Sequence, residues 1–144
     1  NIDFFIAGSG SKRKLLEKAP DNLFYLGNLE RDEIVKELSE SHLGLSFLED
    51  SQVGKDSFPV KVYEFFGAEI PCVATPKISE VSEILQTYKL GKSFSPDDLD
   101  LICQFIEELC NDPHKYNCYI MQLKNTQEKF SRNSSNEILK SLVF

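Results

Sequence analysis

Short, continuous apolar runs alternate along this chain with segments of helical periodicity, and that alternation restricts the fold more than any other feature. Phe4-Phe5-Ile6-Ala7, Leu23-Phe24-Tyr25-Leu26, Leu43 to Leu48 and Pro71 to Thr75 are short apolar stretches without a polar face. Strands of that kind belong to parallel sheets covered by helices on both faces. The pattern predicts strands at 3–7, 23–26, 43–48, 71–75 and near 92–94, with helices at 11–18, 31–41, 59–68 and 79–88 between them. Ile34, Val35 and Leu38 make an apolar stripe on the second of these helices, and 49–58 reads as a polar loop with Gly54 in it. The fold class is therefore α/β, a Rossmann-like parallel sheet with helices on both faces.

The last third of the chain reads as helical. Ser95-Pro96-Asp97-Asp98 has the pattern of a capping box with Pro at the first helical position, which predicts a helix from there to Cys110. Leu99, Ile102, Cys103, Ile106, Leu109 and Cys110 recur at helical spacing, so that stripe is expected to face the sheet and Phe105 to be partly exposed or turned toward a neighbouring domain. Asp112-Pro113 opens another helix, expected to carry Tyr116, Tyr119, Ile120, Leu123 and Phe130 inward, and 134–143 forms a last amphipathic helix.

Ligands of open parallel sheets sit beyond the carboxyl ends of the strands, which places Gly8 to Gly10, Gly27 to Leu29 and the loop before Pro59 at the functional edge. Composition narrows what they serve. A chain of 144 residues fits one domain with a usable core. Its net charge of −7 opposes a nucleic-acid partner, which needs a basic footprint. The densest basic cluster, Lys12-Arg13-Lys14, reads as a solvated helix face in preference to a phosphate contact. No apolar run reaches the ~20 residues of a membrane span, and the start lacks the regions of a signal peptide, so a cytoplasmic domain is expected. Because the chain opens on Asn and almost at once on a strand, it reads as a piece of a larger protein. Cys72, Cys103, Cys110 and Cys118 lack paired C-x-x-C spacing, which argues for reduced thiols and no zinc, with Cys103 and Cys110 in the core. His42 and His114 have no Ser, Cys and Asp arranged around them and anchor no mechanism.

The chemistry concentrates in Asp56-Ser57-Phe58-Pro59-Val60-Lys61-Val62-Tyr63-Glu64, which leads through Phe65-Phe66-Gly67 into Pro71-Cys72-Val73-Ala74-Thr75. Pro59 suits the first helical position, so Asp56 lies in the loop before a helix and Glu64 in its second turn. Free amide groups at that helix start favour an anion, and carboxylates beside them accept hydroxyls. Together these describe a nucleotide-sugar pocket.

The segment resembles the Glu-x7-Glu stretch of retaining, GT-B-fold glycosyltransferases of family 4. Phe4 to Gly10 resembles that family's strand and glycine loop, Asn22 to Gly27 its next strand, His42 to Leu48 the strand feeding the acidic motif, and Leu90 to Asp98 the closing strand and turn. The resemblance implies that residues 1–144 are the C-terminal, donor-nucleotide-binding domain, without the N-terminal acceptor domain and without the domain's first strand. It implies catalytic roles for Asp56, orienting the transferred sugar, and Glu64, accepting the ribose hydroxyls. Substrate contacts would come from Ser57 and Phe58 through backbone N–H groups, Lys61 toward the diphosphate, Gly8 and Gly10 by close backbone approach, and Gly27, Asn28 and Leu29 around the base. No cofactor and no metal is implied. The partner is a nucleoside diphosphate sugar, and nothing opposes peripheral membrane association of the full-length protein.

The implied reaction is retaining transfer to a hydroxyl acceptor, fitting bacterial surface polysaccharide synthesis. A nucleotide-sugar 2-epimerase of the same fold, and a binding or scaffold domain that has lost catalysis, stay open as alternatives. Three departures stand out: Asp replaces Glu at position 56; Glu69 stands where the family has Gly at the end of the motif helix, which predicts a differently shaped corner; and the resemblance puts the family's Arg and Lys that clamp the diphosphate on a strand and loop ahead of this chain's first residue. The family's first strand lies between the strands at 3–7 and 43–48. Those two are expected to pair directly in a five-stranded sheet, or to accept a segment from a neighbouring copy.

Overall fold

The computed structural model describes residues 2–56 and 59–126. They cluster in two compact units divided after Glu40, and the five strands lie in two parallel sheets, β1-β2 and β3-β4-β5. The predicted five-stranded sheet with direct pairing of 3–7 and 43–48 is thus not formed, since the ladder of each of those strands runs only to its successor.

In the first unit β1 (Phe4–Ala7) pairs with β2 (Leu23–Gly27), Phe5 opposite Phe24. The link is a 3-10 helix, Ser11–Lys18, followed by a turn in which the Leu23 N–H donates to the Pro20 carbonyl at 3.0 Å. Helix α1 (Arg31–Glu40) closes the unit, its entry fixed by the Glu30 N–H donating to the Glu33 carboxylate at 2.7 Å. The expected stripe on α1 is only partly used: Ile34 and Leu38 are half-buried and Val35 is 59% exposed. Nor is this sheet covered on both faces, because Phe5 and Phe24 stack at 5.3 Å with 54% and 42% of their surface exposed. Few elements flank these two strands, too few to bury both sides.

The second unit carries the core. Strands β3 (Gly44–Ser46), β4 (Cys72–Ala74) and β5 (Gly91–Ser93) align in rows Gly44–Cys72–Gly91, Leu45–Val73–Lys92 and Ser46–Ala74–Ser93. Val62, Phe66, Cys72, Ala74, Val81, Leu85, Leu90 and Leu123 form one buried cluster, bringing β4 together with α3 (Val60–Gly67), α4 (Glu80–Tyr88) and α6 (Pro113–Thr126). Close approach explains two glycines. A Cβ on Gly44 would enter the Phe65 ring, and one on Gly91, at φ +154°, would fall on the Cys72 backbone. Burial pushes the Cys72 thiol up to about 12, although the Lys61 charge pulls it down.

Helix α5 (Leu99–Asn111) turns a different face inward from the one expected. Its buried residues are Ile102, Phe105, Ile106 and Leu109, while Cys103 and Cys110 are exposed and Leu99 is 64% exposed. Both stripes have helical spacing, and the one with Phe105 buries the larger apolar side chain. Phe105 packs on Phe94 at 5.7 Å and edge-on against Tyr119 at 6.0 Å, with the ammonium groups of Lys92 and Lys115 5.4 and 5.6 Å from its centroid. The capping box also fails: Ser95 to Asp98 closes a turn, the Asp98 N–H donating to the Ser95 carbonyl at 3.0 Å, and α5 begins at Leu99 without a side-chain cap. On α6, Leu123 is buried and Tyr116, Tyr119 and Ile120 are half-buried. Phe130 and the helix expected at 134–143 lie outside the described residues.

Glu69 corrects another expectation. It adopts the left-handed conformation, φ 59°, that glycine takes at this corner. The Glu69 N–H donates to the Phe66 carbonyl at 3.1 Å and the Ile70 N–H to the Phe65 carbonyl at 2.9 Å, the paired bonds of a Schellman helix end. The corner keeps its shape because Ile70, 2% exposed, is drawn into the core behind it.

Candidate functional site

The acidic motif is positioned from below by Thr75, at the end of β4. Its hydroxyl donates to the Leu48 carbonyl at 2.7 Å and accepts from the Leu48 N–H at 2.9 Å, while the Thr75 N–H donates to the Ser46 carbonyl at 3.1 Å. These bonds fix the chain as it leaves β3. The segment read as loop then contains a short helix, α2 (Gln52–Asp56). Ser51 caps it, accepting from the Gly54 N–H at 3.1 Å, and Gly54 is required because a Cβ there would strike the Glu49 carbonyl. A Lys55–Asp50 ion pair at 2.9 Å ties the helix back to the residue ahead of its cap.

Asp56 is the last residue of α2, exposed, with its carboxylate accepting from the Gln52 amide at 2.6 Å. Pro59 is the N-cap of α3 at φ −63°, one residue earlier than the first helical position expected of it. Glu64 follows in the second turn and is exposed; Lys61, in the first, is half-buried. Ser57 and Phe58 lie outside the described residues. Sequence reasoning missed Thr75 and Gln52. Thr75 had one signal, a hydroxyl residue directly before Pro at a strand end; Gln52 had none.

The first unit holds the remaining candidates. Gly8, at φ +124°, donates its N–H to the carbonyl of Gly27, itself at φ +73°, at 2.7 Å. Both conformations favour glycine. The Tyr25 hydroxyl donates to the Gly8 carbonyl at 2.7 Å, and the Arg13 guanidinium lies 5.4 Å from the centroid of the same ring. A cavity of about 330 Å³ opens beside this turn, lined by the Gly8-Ser9-Gly10 loop together with Lys12, Arg13 and Tyr25. Asn28 is exposed and Leu29 half-buried after β2. The structure thus groups Gly8, Gly10 and Gly27 at the ends of β1 and β2, and Asp56, Lys61 and Glu64 around the α2–α3 junction.

Carboxylates flanking a helix start, on a segment that leaves the carboxyl end of a parallel strand, suit a ligand that offers both hydroxyls and anionic charge. Residues 1–112 match the family described as glycosyl transferases group 1. The chain belongs to this family. Among solved structures, that of WaaG, a glycosyltransferase involved in lipopolysaccharide biosynthesis, matches with a TM-score of 0.71 at 11% identity, over 88% of this chain. The fold of the group 1 chain is therefore that of one half of a GT-B glycosyltransferase, parallel strands flanked by helices. It spans 34% of the length of WaaG. No curated relative matches. Among the described residues no helix is long and apolar enough to cross a membrane.

Proposed function

We propose that this chain binds the donor of a retaining glycosyltransferase, a nucleoside diphosphate sugar whose glycosyl group passes to a hydroxyl acceptor. The observation that carries the reading is the placement of Glu64 in the second turn of α3, eight residues after Asp56 at the end of α2, with both carboxylates exposed. A carboxylate takes both O–H groups of a vicinal diol, which suits Glu64 to the ribose. Asp56 orients the sugar, its position held by Gln52. Lys61, with the first amides of α3, stabilises the leaving diphosphate. Gly27, Asn28 and Leu29 bracket the base through main-chain groups. Ser57 and Phe58 present N–H groups to the sugar or phosphate, and no metal or cofactor takes part.

Surface polysaccharide synthesis in a bacterial cytoplasm is the proposed setting, supported by the fold shared with WaaG, which is described as acting in lipopolysaccharide biosynthesis. The scaffold alternative loses one of its two supports, because the Glu69 departure leaves the helix end with the same left-handed geometry.

Glu64→Ala in the full-length protein tests the assignment. Two charge-assisted hydrogen bonds at roughly 1.5 kcal/mol or more each are expected to vanish from donor binding, with the melting temperature unchanged because the side chain is exposed. Donor affinity equal to that of the unaltered protein would remove the ribose role.

A further inference from the structure

The basic triplet at 12–14 is divided by the fold. Lys12 and Arg13 line the cavity of about 330 Å³ at the Gly8-Ser9-Gly10 turn, and Lys14 does not. Much of the rest of the lining is apolar, with Leu15, Leu16 and Tyr25 among it. In a chain whose net charge is −7, two adjacent cations converge on this one concave site.

Gly10 supplies an independent observation. Its φ of −173° is open to any residue, and a Cβ there would meet nothing within 4 Å. Neither backbone conformation nor packing therefore demands glycine at the mouth of the cavity. Space left open beside two cations is what close approach of an anionic ligand to the backbone requires. Arg13 is also partly pre-organised, since its guanidinium rests over the Tyr25 ring and the Tyr25 hydroxyl is anchored on the Gly8 carbonyl at 2.7 Å. A cation held in this way loses less freedom on meeting a phosphate than a free surface lysine does.

We infer that Lys12 and Arg13, at the Gly8-Ser9-Gly10 turn, supply cationic contacts to the diphosphate of the bound nucleoside diphosphate. This rests on the donor-binding reading above and gives that reading its charge-neutralising residues in the first unit.

The test is calorimetric titration of the full-length protein with UDP, GDP and ADP, and separately with inorganic pyrophosphate and with the free nucleosides, at low and at moderate salt. Lys12→Gln, Arg13→Gln and Gly10→Ala are each expected to weaken the preferred diphosphate about tenfold, the size of one lost charge-assisted contact, with unchanged melting temperatures. Lys14→Gln is expected to leave affinity as it was. Pyrophosphate binding falls in parallel, nucleoside binding does not, and the salt dependence of diphosphate affinity becomes shallower in the two charge variants. Arg13→Gln also removes the cation above Tyr25, so Lys12→Gln is the deciding variant. A diphosphate that binds the unaltered protein and loses no affinity in Lys12→Gln and Gly10→Ala overturns this inference and leaves the donor-binding reading standing. Absence of binding by every nucleoside diphosphate and its sugar conjugates overturns both.

Discussion

The two units use aromatic residues in opposite ways. From Ser41 onward Phe66, Phe94 and Phe105 are each less than 5% exposed and pack around a three-stranded sheet, whereas before it Phe5 and Phe24 stack against each other in solvent. Among the described residues of the first unit none is buried. Burial of apolar surface is the main stabilising term in folding, so the second unit carries the stability of the chain. The first holds its shape by a four-residue ladder, glycine turns and a few side-chain bonds to backbone carbonyls. A 40-residue segment is near the lower limit for an independent core. What it offers instead is an open surface where glycines and cations are displayed.

The largest effect expected from this contrast is at Gly91. A methyl group there meets the Cys72 backbone in the middle of the sheet, at a φ that L-residues rarely adopt, and neither side can move without breaking the β4–β5 ladder. Gly91→Ala should cost more than about 4 kcal/mol, within the range reserved for overpacking joined to backbone strain. Urea denaturation checks it. A loss below about 1 kcal/mol would mean that the two strands are not in register as Cys72 opposite Gly91, and the second unit would lose its claim to be the tightly packed one.

The order of strands and helices was legible because short apolar runs and helical spacing are local signals: the four strand stretches and the helix at 31–40 stand within about two residues of where they were read. What failed was every choice between two patterns of equal local quality. The stripe with Cys103 and the stripe with Phe105 have the same period, and only the presence of Phe94 and Tyr119 opposite selects the second. Ser95 to Asp98 has the residues of a capping box but spends its hydrogen bonds on a turn. Of the candidate site, Asp56, Lys61 and Glu64 could be placed on their elements because Pro59 marks the start of α3. The support from Thr75 could not, since Leu48 lies 27 residues away. Nor could the sequence separate Lys12 and Arg13 from Lys14, which requires knowing how the Gly10 turn directs the helix.

Glu69 shows the same competition inside the stable unit, and it offers a smaller effect of opposite sign. Its left-handed backbone costs an L-residue roughly 1–2 kcal/mol, while its ion pair with Lys124, at 3.5 Å between exposed side chains, returns little. Glu69→Gly removes the strain but adds freedom to the unfolded chain, about 0.5–1 kcal/mol. A net gain of about 0.5–1 kcal/mol is expected, visible as a rise of a few degrees in melting temperature. A loss instead would show that the Lys124 contact stabilises the corner more than its exposure allows.

An effect of similar size is expected at Phe24, and it bears most directly on the difference between the units. Phe24 is 42% exposed and its main neighbour is Phe5, so Phe24→Ala removes one stacked pair and modest buried area, a cost near 1 kcal/mol. Phe105→Ala removes a ring that is 3% exposed, for which about 3–5 kcal/mol is expected. Measured side by side by chemical denaturation of the intact protein, the two substitutions should differ at least about threefold. Equal costs would mean that in solution Phe24 has as complete an apolar surrounding as Phe105. The bare face of the β1-β2 ladder would then be a covered one, and the weak packing assigned to the first unit would be withdrawn.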